Sequence, residues 1–215
     1  MHPTKLPNNF TPFDREAETL KRNRRLPHWQ QVGCTYFITY RLADSIPVTE
    51  QQLWRDERNR WLKRNPEPWT MRQQRIYYRR FVERIQNLMD LGYGRCELRA
   101  PICSRIVEDS ICYFDGKRYD LGDYVIMPNH VHSLVRPYDD VCLSTLLQGW
   151  KGFSARQINS ALNRSGTLWL DESFDHIVRS AEQLEYLRKY IQENPSRAAL
   201  SEGHYRLGCG KWNPG

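Results

Sequence analysis

One segment of twelve residues constrains the fold of this chain more than any other: Tyr124-Val-Ile-Met-Pro-Asn-His-Val-His-Ser-Leu-Val135. Its two β-prone halves flank a Pro-Asn pair, which predicts two strands at 119–127 and 130–136, or one strand bent at Pro128-Asn129. In a strand, residues i and i+2 point to the same face. His130 and His132 therefore point the same way, with their ring nitrogens close enough to share one metal ion.

Two imidazoles are only half of a metal site, and a helix predicted about sixty positions later supplies candidates for the rest. Ser180 is a suitable N-cap with Gln183 as its capping-box partner, and Pro195 predicts where the helix stops. Tyr190 and Asn194 are four positions apart, so they lie on one helix face. A phenol and a carboxamide oxygen have the chemistry of a nucleophile and a third metal ligand.

Each of these residues also has an ordinary structural interpretation, which the residues alone leave open. The histidines are compatible with two buried strand positions that have polar partners and no metal. Tyr190 is compatible with an interior helix tyrosine, and Tyr186 is a rival nucleophile one turn earlier. Asn194 is compatible with a simple helix C-cap, a common role for asparagine.

Charge and composition favour a basic protein of the cytoplasm. The net charge of +7 and the pI near 9.2 suggest an anionic partner, of which nucleic acid is the usual one. No window approaches eighteen consecutive apolar residues, and the N-terminus lacks the apolar core of a signal peptide, so we expect no membrane association and a cytoplasmic, nucleoid-associated location. The six cysteines form no Cys-x-x-Cys pair, and we expect them to be reduced.

The pattern of elements predicts an α+β fold, with an antiparallel β-sheet flanked by helices. A first strand is predicted at 35–42, and helices are predicted at 49–64, 70–91, 101–114, 144–163 and 180–194. We divide the chain into a basic N-terminal arm (1–32), one main domain (33–200) that contains a helical arginine-rich segment (49–91), and an irregular C-terminal tail (201–215).

The helical segment is also the predicted DNA-binding surface. Residues 54–80 hold eight arginines and one lysine against three acids, interleaved with tryptophan and tyrosine. Trp54 and Trp61 are seven apart, a spacing typical of a buried helix stripe, so we interpret the tryptophans as mostly core and the basic residues as the binding face. The predicted DNA-binding residues are Arg55, Arg58, Arg60, Arg64, Arg72, Arg75, Arg79, Arg80 and Lys151.

Two of these motifs in order, Met127-Pro-Asn-His-Val-His132 and Tyr190-Ile-Gln-Glu-Asn-Pro195, resemble the HUH single-tyrosine transposases of bacteria, and most of all their REP-associated branch. The segments Tyr36-Phe-Ile-Thr-Tyr-Arg41 and Phe174-Asp-His-Ile-Val-Arg179 resemble that branch too. The resemblance covers roughly residues 33–200. It implies a ferredoxin-like or RRM-like sheet with the histidine pair on a central strand.

The resemblance also implies an activity: cleavage and rejoining of single-stranded DNA, with Tyr190 forming a 5′-phosphotyrosine link. It favours Mg²⁺ or Mn²⁺ at His130, His132 and Asn194, although ligand type alone also permits Zn²⁺. The implied partner is a short palindromic DNA hairpin, bound by a monomer or a homodimer. Asp175, His176 and Arg179 receive no assigned role.

Two other functions compete with strand transfer. One is a domesticated, non-catalytic module that only binds DNA hairpins. The other is a metal-dependent hydrolase in which a histidine-bound water attacks, and a covalent phosphotyrosine link would exclude it.

Overall fold

The computed structural model describes residues 10, 11, 13, 14, 20–23, 27–66 and 68–212, with the backbone alone for 20–23 and 27–29. Within these ranges, no helix has both the length and the apolar character needed to cross a membrane. Part of the basic N-terminal arm assigned to residues 1–32 lies outside the described residues. The described part of the N-terminal arm contains a two-stranded antiparallel hairpin.

The centre of the fold is a five-stranded antiparallel sheet, which confirms the predicted α+β class. The hairpin strands are β1 (Leu20–Asn23) and β2 (Pro27–Gln30). The sheet strands run in the order β6-β3-β5-β4-β7, and their bounds are β3 (Tyr36–Arg41), β4 (Tyr119–Ile126), β5 (His130–Pro137), β6 (Phe174–Ile177) and β7 (Arg206–Cys209). Strand β5, which carries the histidine pair, is therefore the central strand.

Helices cover both faces of this sheet. Their bounds are α1 (Val48–Arg64), α2 (Met71–Tyr77), α3 (Arg84–Asp90), α4 (Pro101–Cys112), α5 (Leu143–Ala161) and α6 (Ala181–Arg197). A π-helical turn, Tyr78–Glu83, joins α2 to α3. Together α1, α2, the π-turn and α3 form the predicted helical segment.

The sheet separates two apolar cores, because strand side chains alternate between its faces. The larger core packs α4 and α5 against one face and includes Val131. The smaller core packs α6 against the other face through Phe37, Val125, Leu134 and Ile191. The histidine pair lies on this second face, so α6 is the helix that covers it.

Two expectations about the C-terminal region are wrong. The tail is not wholly irregular, because β7 pairs with β4 and extends the sheet at its edge. Helix α6 does not stop before Pro195 but continues to Arg197, with the proline in its last turn. The proline forfeits one backbone hydrogen bond, to the carbonyl of Ile191, and the helix continues for two residues beyond it. In consequence Asn194 is a fully buried helix residue rather than a frayed end.

Some local starts and links also differ from the prediction. The α5 N-cap position is Cys142 rather than Ser144, and Pro47 rather than Thr49 precedes α1; neither has a side-chain cap. Between α5 and β6, Trp169 forms a single isolated bridge with Leu42. Helix α2 begins with a complete capping box between Thr70 and Gln73.

The aromatic residues of the helical segment form one cluster, as the stripe spacing suggested. The Trp61 ring centroid lies 5.1 Å from that of Trp69 and 5.4 Å from that of Tyr77, and Phe81 closes the group at 5.3 Å from Tyr77. These rings hold α1 against α2 and the π-turn. The helical segment therefore has a small apolar core of its own.

Candidate metal and nucleophile site

The histidine pair is buried at the centre of the sheet. His130 and His132 are 1% and 0% exposed, and their ring centroids are 4.7 Å apart. On the neighbouring strand β3, Arg41 stands opposite His130 and Thr39 opposite His132. The expectation that both imidazoles point to one face is borne out by this register. The ring of Phe37 stacks on His132 at 5.2 Å.

The inner nitrogen of each ring is held by a neighbouring side chain. The Asn129 Nδ2 donates to the carbonyl oxygens of Met89 and Tyr93, which leaves Asn129 Oδ1 to accept from His130 Nδ1 at 2.7 Å. The Nε2 of His130 therefore carries the lone pair. His132 Nδ1 is hydrogen-bonded to Thr39 Oγ1 at 2.7 Å. Such bonds orient metal-binding histidines, so Asn129 and Thr39 fit the role of positioning residues.

The Tyr190 hydroxyl lies 3.5 Å from His132 Nε2 in the same chain. Tyr190 is 7% exposed and its ring packs edge-on against Phe37. An ion pair between Arg188 Nε and Asp123 Oδ2, at 2.8 Å, ties α6 to β4 two residues before the tyrosine. Tyr186, the rival nucleophile, is 56% exposed, whereas both histidines are buried. The structure therefore brings Tyr190, and not Tyr186, to the imidazole pair.

Several buried polar atoms at this point have no hydrogen-bond partner in the described structure: His130 Nε2, Asp90 Oδ1, and both amide atoms of Asn194. Burying polar atoms without partners is costly, so their convergence fits a site for an ion. Two imidazole nitrogens and one amide oxygen are a suitable donor set for Mn²⁺ or Mg²⁺. Among the described residues, no group of three or more His, Cys, Asp or Glu side chains is placed to hold a metal, so a third ligand to a metal at this point would be of another type.

The charged residues around the site were not anticipated from the sequence. Asp90 Oδ1, at the end of α3, lies 3.7 Å from His130 Nε2, and burial raises the pKa of this carboxyl to about 6. The Arg197 guanidinium lies 5.2 Å from the centre of the Tyr190 ring. Burial, followed by the charge of Asp90, raises the pKa of the Tyr190 phenol, and Arg197 opposes this. Arg197 stands seven positions after Tyr190, a spacing that places both on one face of a continuous helix. The predicted helix end at Pro195 left Arg197 outside the helix, so it was missed in the sequence analysis.

The imidazoles are held neutral by burial. Burial lowers the pKa of His130 to about 3, with Arg41 adding to the effect, and it lowers the pKa of His132 well below its usual value. His176, on β6, has its pKa lowered to about 4 by burial and by Arg179. Neutral imidazole is the form that binds a metal, so the environment of the pair suits that role.

These shifts predict a loss of stability in acid. Each of the three histidines takes up a proton only after unfolding, so each costs roughly 1.4 kcal/mol of unfolding free energy per pH unit below about 6.5. Asp90 acts in the opposite sense, because its pKa of about 6 means that the folded form binds the proton first. We therefore expect a net loss of roughly 3 kcal/mol between pH 6 and pH 5, measured by urea unfolding of the metal-free protein.

The His176→Leu variant is the control for this titration, because neither ring nitrogen of His176 has a hydrogen-bond partner in the described structure. The variant should reduce the slope of unfolding free energy against pH by the contribution of one histidine, roughly 1.4 kcal/mol per pH unit. An unchanged slope would contradict a buried, neutral His176.

The predicted DNA-binding arginines divide into two groups. Arg64, Arg72, Arg75 and Arg79 are exposed, as are Arg60 and Arg80, although Arg80 is paired with Glu57 at 2.9 Å. Arg58 corrects the prediction, because it is 7% exposed and its Nε donates to the Tyr77 hydroxyl at 2.6 Å. It holds the aromatic cluster together and is not part of the exposed face.

The two remaining predicted DNA-binding residues are Arg55 and Lys151. Arg55 is half-buried and, with Arg41 and Thr39, lines a cavity of about 70 Å³ between the sheet and the helical segment. Lys151 donates to the carbonyl oxygen of Asp171 at 2.7 Å. Arg179 donates to Gln74, which links β6 to the helical segment.

Residues 101–194 match the model of the family described as IS200-like transposases. The match includes both histidines and Tyr190 and ends at Asn194, so it contains all the residues predicted as nucleophile and metal ligands. This segment is similar to the IS200-like transposases. The match supports transposase-like processing of DNA as the function class. The helical segment lies outside the matched residues.

Two solved structures are similar to this chain at low identity. One is a REP-associated tyrosine transposase bound to a REP hairpin, with 15% identity over 85% of this chain and 77% of that chain, and a TM-score of 0.40. The other is a candidate transposase from Deinococcus radiodurans R1, with 14% identity over 86% and 98% and a TM-score of 0.30. Both TM-scores are below 0.5, so neither likeness bears on function. No curated protein matches the chain.

Proposed function

We propose that the protein cleaves and rejoins single-stranded DNA beside a hairpin, through a covalent link between Tyr190 and a 5′-phosphate. One observation carries the proposal: the Tyr190 hydroxyl lies 3.5 Å from His132 Nε2 within one chain, beside buried polar atoms that lack partners. A nucleophile and a pair of neutral imidazoles at this distance can act on the same phosphate.

The reaction exchanges one phosphorus–oxygen bond for another. The Tyr190 oxygen attacks the backbone phosphorus, the bond from phosphorus to the 3′ oxygen breaks, and the 3′-hydroxyl leaves with a proton. The resulting aryl phosphate ester keeps the energy of the broken bond, so a later 3′-hydroxyl can attack it, reseal the strand and restore the phenol. This is nucleophilic catalysis that divides one transfer into two steps.

The surrounding residues have matching tasks. Arg197 opposes the rise that burial causes in the phenol pKa, and so favours the attacking phenolate. Thr39 and Asn129 keep the imidazoles oriented. His130, His132 and Asn194 are the side chains that would hold Mg²⁺ or Mn²⁺. When bound, such an ion polarises a non-bridging phosphate oxygen and helps to fix the in-line geometry.

The exposed arginines of the helical segment are proposed to bind the DNA backbone, which predicts a salt effect. Changing Arg72, Arg75 and Arg79 together to glutamine should weaken hairpin binding. It should also reduce the slope of log affinity against log salt by about 0.7 for each lost phosphate contact on single strands, or about 2 in all. Fluorescence anisotropy of a labelled hairpin at several salt concentrations measures both quantities.

A matched triple change gives the control. Arg99, Arg105 and Arg118 are also exposed arginines, but they lie in and near α4, on the other side of the sheet. Their change to glutamine removes the same net charge and should leave most of the slope intact. If the two triple variants lose equal slope, a general charge effect explains binding and the proposed surface is wrong.

The activity is tested with labelled hairpin DNA that has single-stranded flanks, incubated with Mg²⁺ or Mn²⁺. A denaturant-stable protein–DNA complex together with a free 3′-hydroxyl end supports strand transfer. Hairpin binding without cleavage in either metal would support the non-catalytic module instead. Cleavage without any covalent complex would support hydrolysis by a bound water.

A further inference from the structure

We infer that Asp90 completes the metal site as a carboxylate that binds the ion through one of its water molecules. The inference rests on the proposed function, and it adds a residue from outside the matched family segment, which begins at 101. It follows from the position, burial and unmet hydrogen bonding of Asp90 rather than from any sequence motif.

The position of Asp90 is defined by three elements that meet at the histidine pair. Helix α3 ends at Asp90, directly after Met89, whose carbonyl accepts a hydrogen bond from Asn129 Nδ2 at 3.1 Å. Asn129 in turn orients His130. The carboxylate is thus attached to the same hydrogen-bonded unit that holds the imidazole, and its Oδ1 lies 3.7 Å from His130 Nε2.

The distance of 3.7 Å is too long for a direct hydrogen bond. By hydrogen-bond geometry, Asp90 Oδ1, His130 Nε2 and the Asn194 amide are buried without a partner in the described structure, although Asn194 is near enough to His130 to raise the pKa of that imidazole. A lone water cannot meet so many mixed donors and acceptors, whereas a hydrated cation accepts the lone pairs of nitrogen and oxygen ligands, and its waters donate protons to a carboxylate. The buried polar atoms that lack hydrogen-bond partners therefore match the surroundings of a hydrated ion.

The charge of the site supports the same conclusion. Two neutral imidazoles and one amide carry no negative charge, whereas Mg²⁺ in proteins is usually held by one or two carboxylates and keeps several of its waters. Asp90 Oδ1 is a carboxylate oxygen that lies 3.7 Å from His130 Nε2. Among the described residues, Asp90 and the two histidines are not placed to hold a metal directly as a group, so we place a water molecule between the ion and the carboxylate.

The test is the affinity for Mn²⁺ of the whole chain, measured by electron paramagnetic resonance of free Mn²⁺, with and without hairpin DNA. Asp90→Asn should weaken Mn²⁺ binding by about 10- to 100-fold, the usual effect of losing a residue that supports metal ligands. Asp90→Glu, which keeps the charge, should recover part of it. Asp109→Asn, an exposed carboxylate on α4, is the matched control and should change nothing.

The outcomes separate this inference from the proposed function. If Asp90→Asn binds Mn²⁺ as tightly as the parent, Asp90 only pairs with His130 and the inference is overturned. If the parent binds no Mn²⁺ even with DNA present, the proposed metal site itself fails, and the inference with it. A cooperative thermal unfolding transition without Mn²⁺ checks that the variant folds. The rise in melting temperature on adding Mn²⁺ reports ion binding separately.

Discussion

The Tyr190→Phe variant should lose strand cleavage by on the order of 10⁴-fold or more, and should form no covalent complex with DNA. The change removes one oxygen atom, the proposed nucleophile, and leaves the ring that packs on Phe37. The hydroxyl is 3.5 Å from His132 Nε2, so at most a weak hydrogen bond is lost, and stability should change by less than about 1 kcal/mol. Hairpin cleavage assays and denaturing gels measure the loss.

The matched control is Tyr186→Phe, one helical turn earlier on α6. Tyr186 is 56% exposed, so its hydroxyl is in solvent and away from the buried pair. This variant should cleave DNA as the parent does. Strong cleavage by Tyr190→Phe, or loss of cleavage in Tyr186→Phe, would contradict the assignment of the nucleophile.

Replacing either strand histidine by alanine should lower cleavage by roughly 10³-fold or more, since a metal that orients and polarises the phosphate would lose a ligand. Hairpin binding in the absence of divalent metal should be retained, because the proposed phosphate contacts lie on the helical segment. Mn²⁺ titration and cleavage rates together measure the effect. His204→Ala changes an exposed histidine and is the control.

The same variants test whether the site is complete within one chain. His132 and Tyr190 meet in a single chain, so mixing His132→Ala with Tyr190→Phe should restore no activity. Recovery in the mixture would show that the phenol works opposite the imidazoles of a partner chain. That result would be consistent with the proposed strand transfer but would contradict an active site completed within one chain.

Much of the site could be predicted from sequence because its parts obey local periodicities. The i, i+2 rule of a strand places His130 and His132 on one face, and the i, i+4 rule of a helix places Tyr190 beside Asn194. The meeting of strand and helix was suggested by the family resemblance, and the structure places the phenol within reach. The roles of these residues as ligands and nucleophile stay predictions.

Other parts depend on contacts between distant segments, which no local pattern contains. Asp90 reaches His130 only because the end of α3 is hydrogen-bonded to Asn129, just before β5, and Thr39 meets His132 only through the register of β3 with β5. The sequence pattern also does not distinguish buried from exposed arginines, whereas in the fold Arg58 is buried against Tyr77 and Arg75 is exposed to solvent. β7 was missed because its four residues are short and glycine-containing, and pairing with β4 decides their structure.

The most direct test of the account is to locate the DNA adduct by mass spectrometry after cleavage, nuclease trimming and digestion with trypsin. Cleavage after Arg179, Arg188, Lys189 and Arg197 separates the rival tyrosines, with Tyr186 in peptide 180–188 and Tyr190 in peptide 190–197. The account predicts a nucleotide attached to peptide 190–197 alone. An adduct on peptide 180–188, or efficient cleavage with no adduct on either peptide, would contradict it.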